Sequence, residues 1–152
     1  MVEIPEGVFL MGSDSGRENE KPVHKVSISG FFMDEHPVTV GHYKRFICES
    51  GYPEPNWDSI SVVSPSDLHP VVLVSWYDAM AYSIWCEKVL PTEAQWEYAA
   101  RGGIAFGTYP WGDSAPDSTL ANYSRQVGLT TPPKSYLPNG YGLFDMVGNV
   151  AE

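Results

Sequence analysis

The residues best placed to do chemistry stand at the end of the sequence. Asp145 and Glu152 bracket Gly148-Asn149-Val150, a stretch too rich in Gly and Asn to make a good helix. Two carboxylates on a winding loop supply side-chain and backbone oxygens together, the ligand set that hard divalent cations take at about 2.3–2.6 Å. The spacing therefore points to a calcium loop. Other clusters say less. Asp34-Glu35-His36 and His24 lack the short His or Cys spacing of a structural zinc site and are expected to be solvated turn residues. His42 and His69 stand apart from any base or nucleophile partner. Ser75, in Val-Ser-Trp, lacks the glycine-flanked elbow of a hydrolase and suits a helix cap instead. Gly102-Gly103 and Gly140-Tyr141-Gly142 do not open a helix in a βαβ unit, so no phosphate loop is indicated. The two cysteines, Cys48 and Cys86, make no disulfide framework and read as buried free thiols in helical patterns. The tryptophans, at 57, 76, 85, 96 and 111, read mostly as core. No catalytic residue emerges from the residue types and spacing alone.

The elements that must position the loop can be read locally. Strand-like alternation runs through Val2/Ile4, Val8/Leu10 and Val26/Ile28 into Phe31-Phe32-Met33. Thr39 caps a predicted helix whose apolar positions are Val40, Tyr43, Phe46 and Ile47, with Gly51 as its stop. Residues 53–70, rich in Pro and Ser, predict a surface loop returning to Val71-Val72-Leu73-Val74, a buried strand or extended approach. Ser75, with Asp78 three residues on, opens a second helix to about Lys88. Thr92 with Gln95 opens a third, closed by Gly102-Gly103, with Trp96 and Ala99 on one face. From Gly103 onward loops should dominate, which makes the class α+β. Leu143, Phe144, Met146, Val147 and Val150 crowd the C-terminus and need apolar partners.

Composition removes several classes of function. The chain has 152 residues, 9 basic and 19 acidic, for a net charge of −10. With 43% apolar residues it can bury a core, and its length predicts one domain. The acidic balance and the lack of a Lys/Arg cluster exclude nucleic acid and anionic membrane surfaces as expected partners. Divalent cations and basic peptides fit it better. The longest apolar run, residues 70–74, is far short of the ~18 residues that a spanning helix needs. Residues 1–5 carry no secretion-signal pattern, so a cytoplasmic location is expected.

An ordered series of motifs covers nearly the whole chain. It begins with Ile4-Pro5-Glu6-Gly7-Val8-Phe9-Leu10-Met11-Gly12-Ser13, Glu20-Lys21-Pro22-Val23-His24 and Pro37-Val38-Thr39-Val40. Pro70-Val71-Val72-Leu73-Val74-Ser75-Trp76-Tyr77-Asp78-Ala79 and Leu90-Pro91-Thr92-Glu93-Ala94-Gln95-Trp96-Glu97-Tyr98-Ala99-Ala100-Arg101-Gly102 follow. Tyr109-Pro110-Trp111-Gly112, Ala121-Asn122 and residues 138–150 complete the series. Together they resemble the formylglycine-generating, or sulfatase-modifying-factor, family. The resemblance implies a C-type-lectin-like α+β fold with little regular secondary structure. It also implies that residues 1–152 form a single, C-terminally incomplete domain of this type.

For the site, the resemblance implies a structural calcium ion held by the side chains of Asp145 and Glu152 and the carbonyls of Gly148 and Val150. A further calcium site in the family would use Asn122 and the carbonyl of Tyr123 with a later acid, where this loop offers Arg125 or Gln126 instead. The family prototype oxidises a cysteine of a sulfatase to formylglycine, using molecular oxygen and a copper(I) ion on two cysteines near the domain's C-terminus. A sulfatase-like protein or peptide substrate is implied accordingly. Soft thiolates select copper(I), and neither Cys48 nor Cys86 falls in that motif. The pair is expected beyond Glu152, so this chain alone is expected to be inactive. Ala151 stands where sulfatase-modifying members carry a tryptophan of the substrate groove. The alternatives are a non-catalytic lectin-like binding module, or a sulfoxide synthase of the ergothioneine type, which binds iron through an additional helical domain.

Overall fold

The computed structural model describes residues 1–105, 107–124 and 127–151. Four short strands come first: β1 (Val2–Ile4), β2 (Gly7–Met11), β3 (His24–Ile28) and β4 (Phe31–Met33). Four helices follow: α1 (Val40–Ser50), α2 (Trp57–Val63), α3 (Trp76–Trp85) and α4 (Glu93–Ala100). The class is α+β, as the sequence predicts. The strands form two separate antiparallel ribbons. β1 pairs with β4, with Ile4 opposite Phe31, and β2 pairs with β3, with Phe9 opposite Val26.

One core forms where the ribbons meet α4. Ile4, Phe9 and Ile28 pack there with Tyr98, Ala99 and Ala100, and Leu143 and Met146 return from the C-terminal loops to join them. That is where the apolar residues near the C-terminus find cover: Leu143 is 1% exposed and Met146 9%. The alternation in β2 gives the right period, but Val8 and Leu10 face outward while Phe9 turns inward against the Tyr98 ring, with centroids 5.2 Å apart. A second core lies between α1 and α3. Tyr43, Phe46 and Ile47 are buried there under Tyr82, Trp85, Val71 and Val74.

The helix signals are local, and the structure uses most of them. The Thr39 side chain accepts from the His42 amide, and Gly51 closes α1 at φ 69°. Ser75 with Asp78, and Thr92 with Gln95, form reciprocal capping boxes at the starts of α3 and α4. α3 is shorter than its sequence pattern. It ends at Trp85 because Cys86 leaves the helix and Glu87 adopts φ 57°.

The structure corrects several expectations. The predicted loop 53–70 contains α2, capped by the Asn56 side chain and anchored by Ile60, which is 1% exposed. Of the two readings of residues 71–74 the structure keeps the extended approach: Val71 donates to the Val38 carbonyl, and Leu73 turns outward at φ 58°. Cys48 is exposed on α1, and Cys86 is only half-buried, so neither thiol is a core residue. None of the five tryptophans is fully buried, and Trp76 is 61% exposed. The acidic turn at 34–36 is half-buried and paired, with Lys88 on Asp34 and Lys134 on Glu35.

Candidate metal centre

After α4 the described residues contain no further helix or strand, and asparagine side chains supply several of the long-range bonds that shape the loops. Asn139 donates through Nδ2 to the carbonyls of Ala99 (2.8 Å) and Ala100 (3.3 Å), capping the C-terminal end of α4. Its Oδ1 accepts from the amides of Tyr141 (3.0 Å) and Leu143 (3.1 Å). Gly140 is required beside it, since a Cβ there would lie 2.2 Å from the Gly102 carbonyl oxygen. This turn delivers Leu143 to the core and Asp145 to the loop that follows.

Asp145 stands at φ 59°. Its Oδ2 accepts from the Lys134 amide at 3.1 Å, but its Oδ1 is buried with no hydrogen-bond partner. Burial pushes this carboxyl above its usual range, although the Lys134 amide and the nearby His36 pull the other way. Lys134 does not neutralise it, because its ammonium pairs with Glu35 at 2.8 Å. The same pairing holds the Glu35 carboxyl below its usual range. A buried carboxylate oxygen without a donor is costly, and it is the kind of group that a cation satisfies.

The rest of the loop places carbonyls next to it in sequence. Gly148 adopts φ 82°, and a Cβ there would fall 2.4 Å from the Asn122 carbonyl oxygen, so both conformation and clearance demand glycine. The Gly148 carbonyl accepts from the Val150 amide at 2.7 Å and keeps a second lone pair. Asp145, Gly148 and Val150 thus offer the hard oxygens that suit calcium, and the orphaned Oδ1 is the observation that fits a cation. The fourth predicted ligand, Glu152, lies outside the described residues, as do Arg125 and Gln126. Among the described residues no three His, Cys, Asp or Glu side chains gather around a common point.

Asn122 and Tyr123 are used differently. The Asn122 amide donates to the Leu129 carbonyl at 2.8 Å, and its backbone carbonyl accepts from the Asn149 amide at 2.7 Å. The Tyr123 hydroxyl donates to the Pro116 carbonyl at 2.6 Å. These bonds tie Asn122 to Leu129 and Tyr123 to Pro116, and neither uses the Asn122 Oδ1 or the Tyr123 carbonyl, the oxygens that a second calcium site would take.

The remaining candidates resolve into structural roles. The Ser75 hydroxyl bonds to Asp78 within the cap of α3. His36 stacks on His42 at 6.4 Å, and His69 meets the Ser66 hydroxyl at 2.8 Å. A cleft of about 380 Å³ is lined by His42, Arg45, Tyr82, Trp85, Cys86 and Lys88. It contains one thiol, since Cys48 is not part of it, and one thiol does not make the two-thiolate set that holds copper(I). A second cleft, of about 310 Å³, runs beside Met146 and Val147 to Trp96, Tyr109 and the ion pair of Glu97 and Arg101 (2.6 Å).

Asn139 and Asn149 are the residues that sequence reasoning missed. Their signal was present as Asn-Gly and Gly-Asn dipeptides, where asparagine tolerates turn conformations and bonds to backbone.

Comparison with known proteins identifies the domain family. The whole chain, residues 1–152, matches the sulfatase-modifying factor enzyme 1-like domain family. It is 40% identical over 168 residues to the serine/threonine-protein kinase pkn1 of Chlamydia pneumoniae, covering 100% of this chain and 27% of that protein. It is 34% identical over 209 residues to the formylglycine-generating enzyme of Streptomyces coelicolor, covering 99% of this chain and 67% of that protein. Among solved structures, PvdO from Pseudomonas aeruginosa superposes with a TM-score of 0.78 at 27% identity, over 97% of this chain and 67% of that one. The chain thus spans about a quarter of the length of its pkn1 relative and about two thirds of the formylglycine-generating enzyme.

Proposed function

Because this chain belongs to the sulfatase-modifying factor enzyme 1-like family, we propose that it is the calcium-organised scaffold of a C-type-lectin-like, formylglycine-generating-type domain. The observation that carries this reading is the orphaned, buried Oδ1 of Asp145 on a loop rich in backbone oxygens. Asp145 supplies the side-chain ligand, the carbonyls of Gly148 and Val150 supply backbone ligands, and Glu152 completes the set. A bound calcium ion would contribute charge and fixed geometry beside Asn149, which ties this segment to Asn122 and Thr131.

The oxidation carried out by such a domain acts on a cysteine of a sulfatase-like protein substrate. That chemistry needs a thiolate pair for copper(I), and of Cys48 and Cys86 only Cys86 lines the cleft beside His42 and Arg45. The scaffold is therefore inactive by itself. Incubation of the chain with copper(I), oxygen and a cysteine-containing peptide should leave the peptide thiol unchanged. Conversion of that thiol to an aldehyde by these 152 residues would overturn the scaffold reading.

The single thiol in that cleft also favours a second reading, a non-catalytic binding module. A copper(I) competition titration tests both readings: tight binding by a two-thiolate site excludes the binding module and the inactive scaffold alike.

A further inference from the structure

The turn that carries Gly148 and Val150 is braced by Asn149, a residue not counted among the proposed ligands. Asn149 is the middle of a three-residue turn, with φ 61° and the Val150 amide donating to the Gly148 carbonyl at 2.7 Å. Turns of this kind with a positive central φ are rare and strained, and they persist only where surrounding bonds over-determine them. Here those bonds come from Asn149 itself. Its Oδ1 accepts from the Thr131 amide (2.8 Å) and its Nδ2 donates to the Thr131 carbonyl (2.9 Å), so one side chain satisfies both sides of a distant residue's backbone. Its own amide donates to the Asn122 carbonyl at 2.7 Å. Both anchors are themselves tied down. Beside Thr131, Thr130 bonds through its amide and hydroxyl to the Val63 carbonyl at the end of α2. Asn122 is fixed by Leu129.

We propose that Asn149 is the positioning residue of this site: it presets the turn that orients the flanking Gly148 and Val150 carbonyls before any cation arrives. This inference rests on the calcium reading above and goes beyond it, because it assigns the loop's geometry to Asn149 and not to the metal. The clearance at Gly148 agrees, since a Cβ there would collide with the same Asn122 carbonyl that receives the Asn149 amide.

The test is calorimetric titration of calcium into the wild-type chain and into Asn149→Gly, which removes the side chain yet tolerates the positive φ. Thr92→Ala serves as a control, destabilising α4 without touching the loop. Loss of residues that orient metal ligands typically weakens metal binding 10- to 100-fold, so Asn149→Gly should raise the calcium Kd at least tenfold while Thr92→Ala leaves it within twofold. A wild-type chain that binds calcium and an Asn149→Gly chain within twofold of it would overturn the positioning role alone. A wild-type chain that binds no calcium would overturn the calcium reading and this role with it. Hydrogen exchange on the calcium-free wild type needs no variant: the Thr131 and Asn149 amides should be protected already, and exchange at unfolded rates would contradict a preset loop.

Discussion

Replacing Asn139 by alanine tests the claim that asparagine side chains fold the loop-rich half. The substitution removes three well-formed hydrogen bonds, to Ala99 O, Tyr141 N and Leu143 N, and one longer bond to Ala100 O. At about 1 kcal/mol net for each good bond the loss is about 3 kcal/mol. Release of the side chain's rotamer restriction returns up to ~1 kcal/mol of that. The remainder, about 2 kcal/mol, is a large part of the 5–15 kcal/mol that holds a typical domain. For a chain of this size it should lower Tm by roughly 4–8 °C. Urea titration followed by tryptophan fluorescence reads it as a lower midpoint at unchanged slope. Asn139→Asp sharpens the test, because it would set a carboxylate against the Ala99 and Ala100 carbonyls at a helix C-terminus. At neutral pH it should be at least as damaging as alanine, with the excess relieved as pH falls through the carboxylate range. A loss below about 0.5 kcal/mol for Asn139→Ala would refute the reasoning.

Other outcomes follow from the same geometry. Gly148→Ala must adopt φ 82° with its Cβ 2.4 Å from a backbone oxygen, so it should weaken calcium binding and lower Tm; retention of both would show that the loop relaxes freely. The Asp145 carboxyl is raised by burial in the cation-free chain, so its charged form destabilises the fold above that raised value and the penalty disappears as pH falls to the ordinary carboxylate range. In chelator, Asp145→Asn should therefore gain urea resistance relative to wild type at pH 7 and lose that advantage in acid; a pH-independent difference would contradict it. Ser75→Ala removes the α3 cap and should cost ~1 kcal/mol in the urea midpoint, against no change if the cap is idle. Cys48 should react with an alkylating reagent faster than half-buried Cys86, read by peptide mass; the reverse order would contradict the α1 geometry.

What the sequence revealed was what neighbouring residues decide. Thr39, Ser75 and Thr92 start their helices through bonds three residues away, and Gly51 and Gly102 end theirs through a backbone conformation, so α1, α3 and α4 were legible. α2 was not, because its seven residues include two serines and bury only Ile60. Alternation in β2 fixed a period but not a direction; Phe9 turns inward because Tyr98, far along the chain, packs against it at a tilt of 52°. The loops were least legible. Asn139 reaches back to Ala99 and Asn149 to Thr131 and Asn122, and no local pattern encodes such distances. Asp145 was legible as a candidate ligand from spacing and family resemblance, but its unpartnered oxygen emerges only from the packing around it.

The central claim is that the loop at 145–152 holds a calcium ion that stabilises the fold. Thermal unfolding of the wild-type chain with calcium and with chelator tests it most directly, with Asp145→Ala alongside. At a calcium concentration of 100 times Kd, binding to the folded state alone should add about 2.7 kcal/mol. The wild-type Tm should rise accordingly, with one ion bound per chain, and Asp145→Ala should not respond. An identical wild-type Tm in calcium and in chelator would contradict the account.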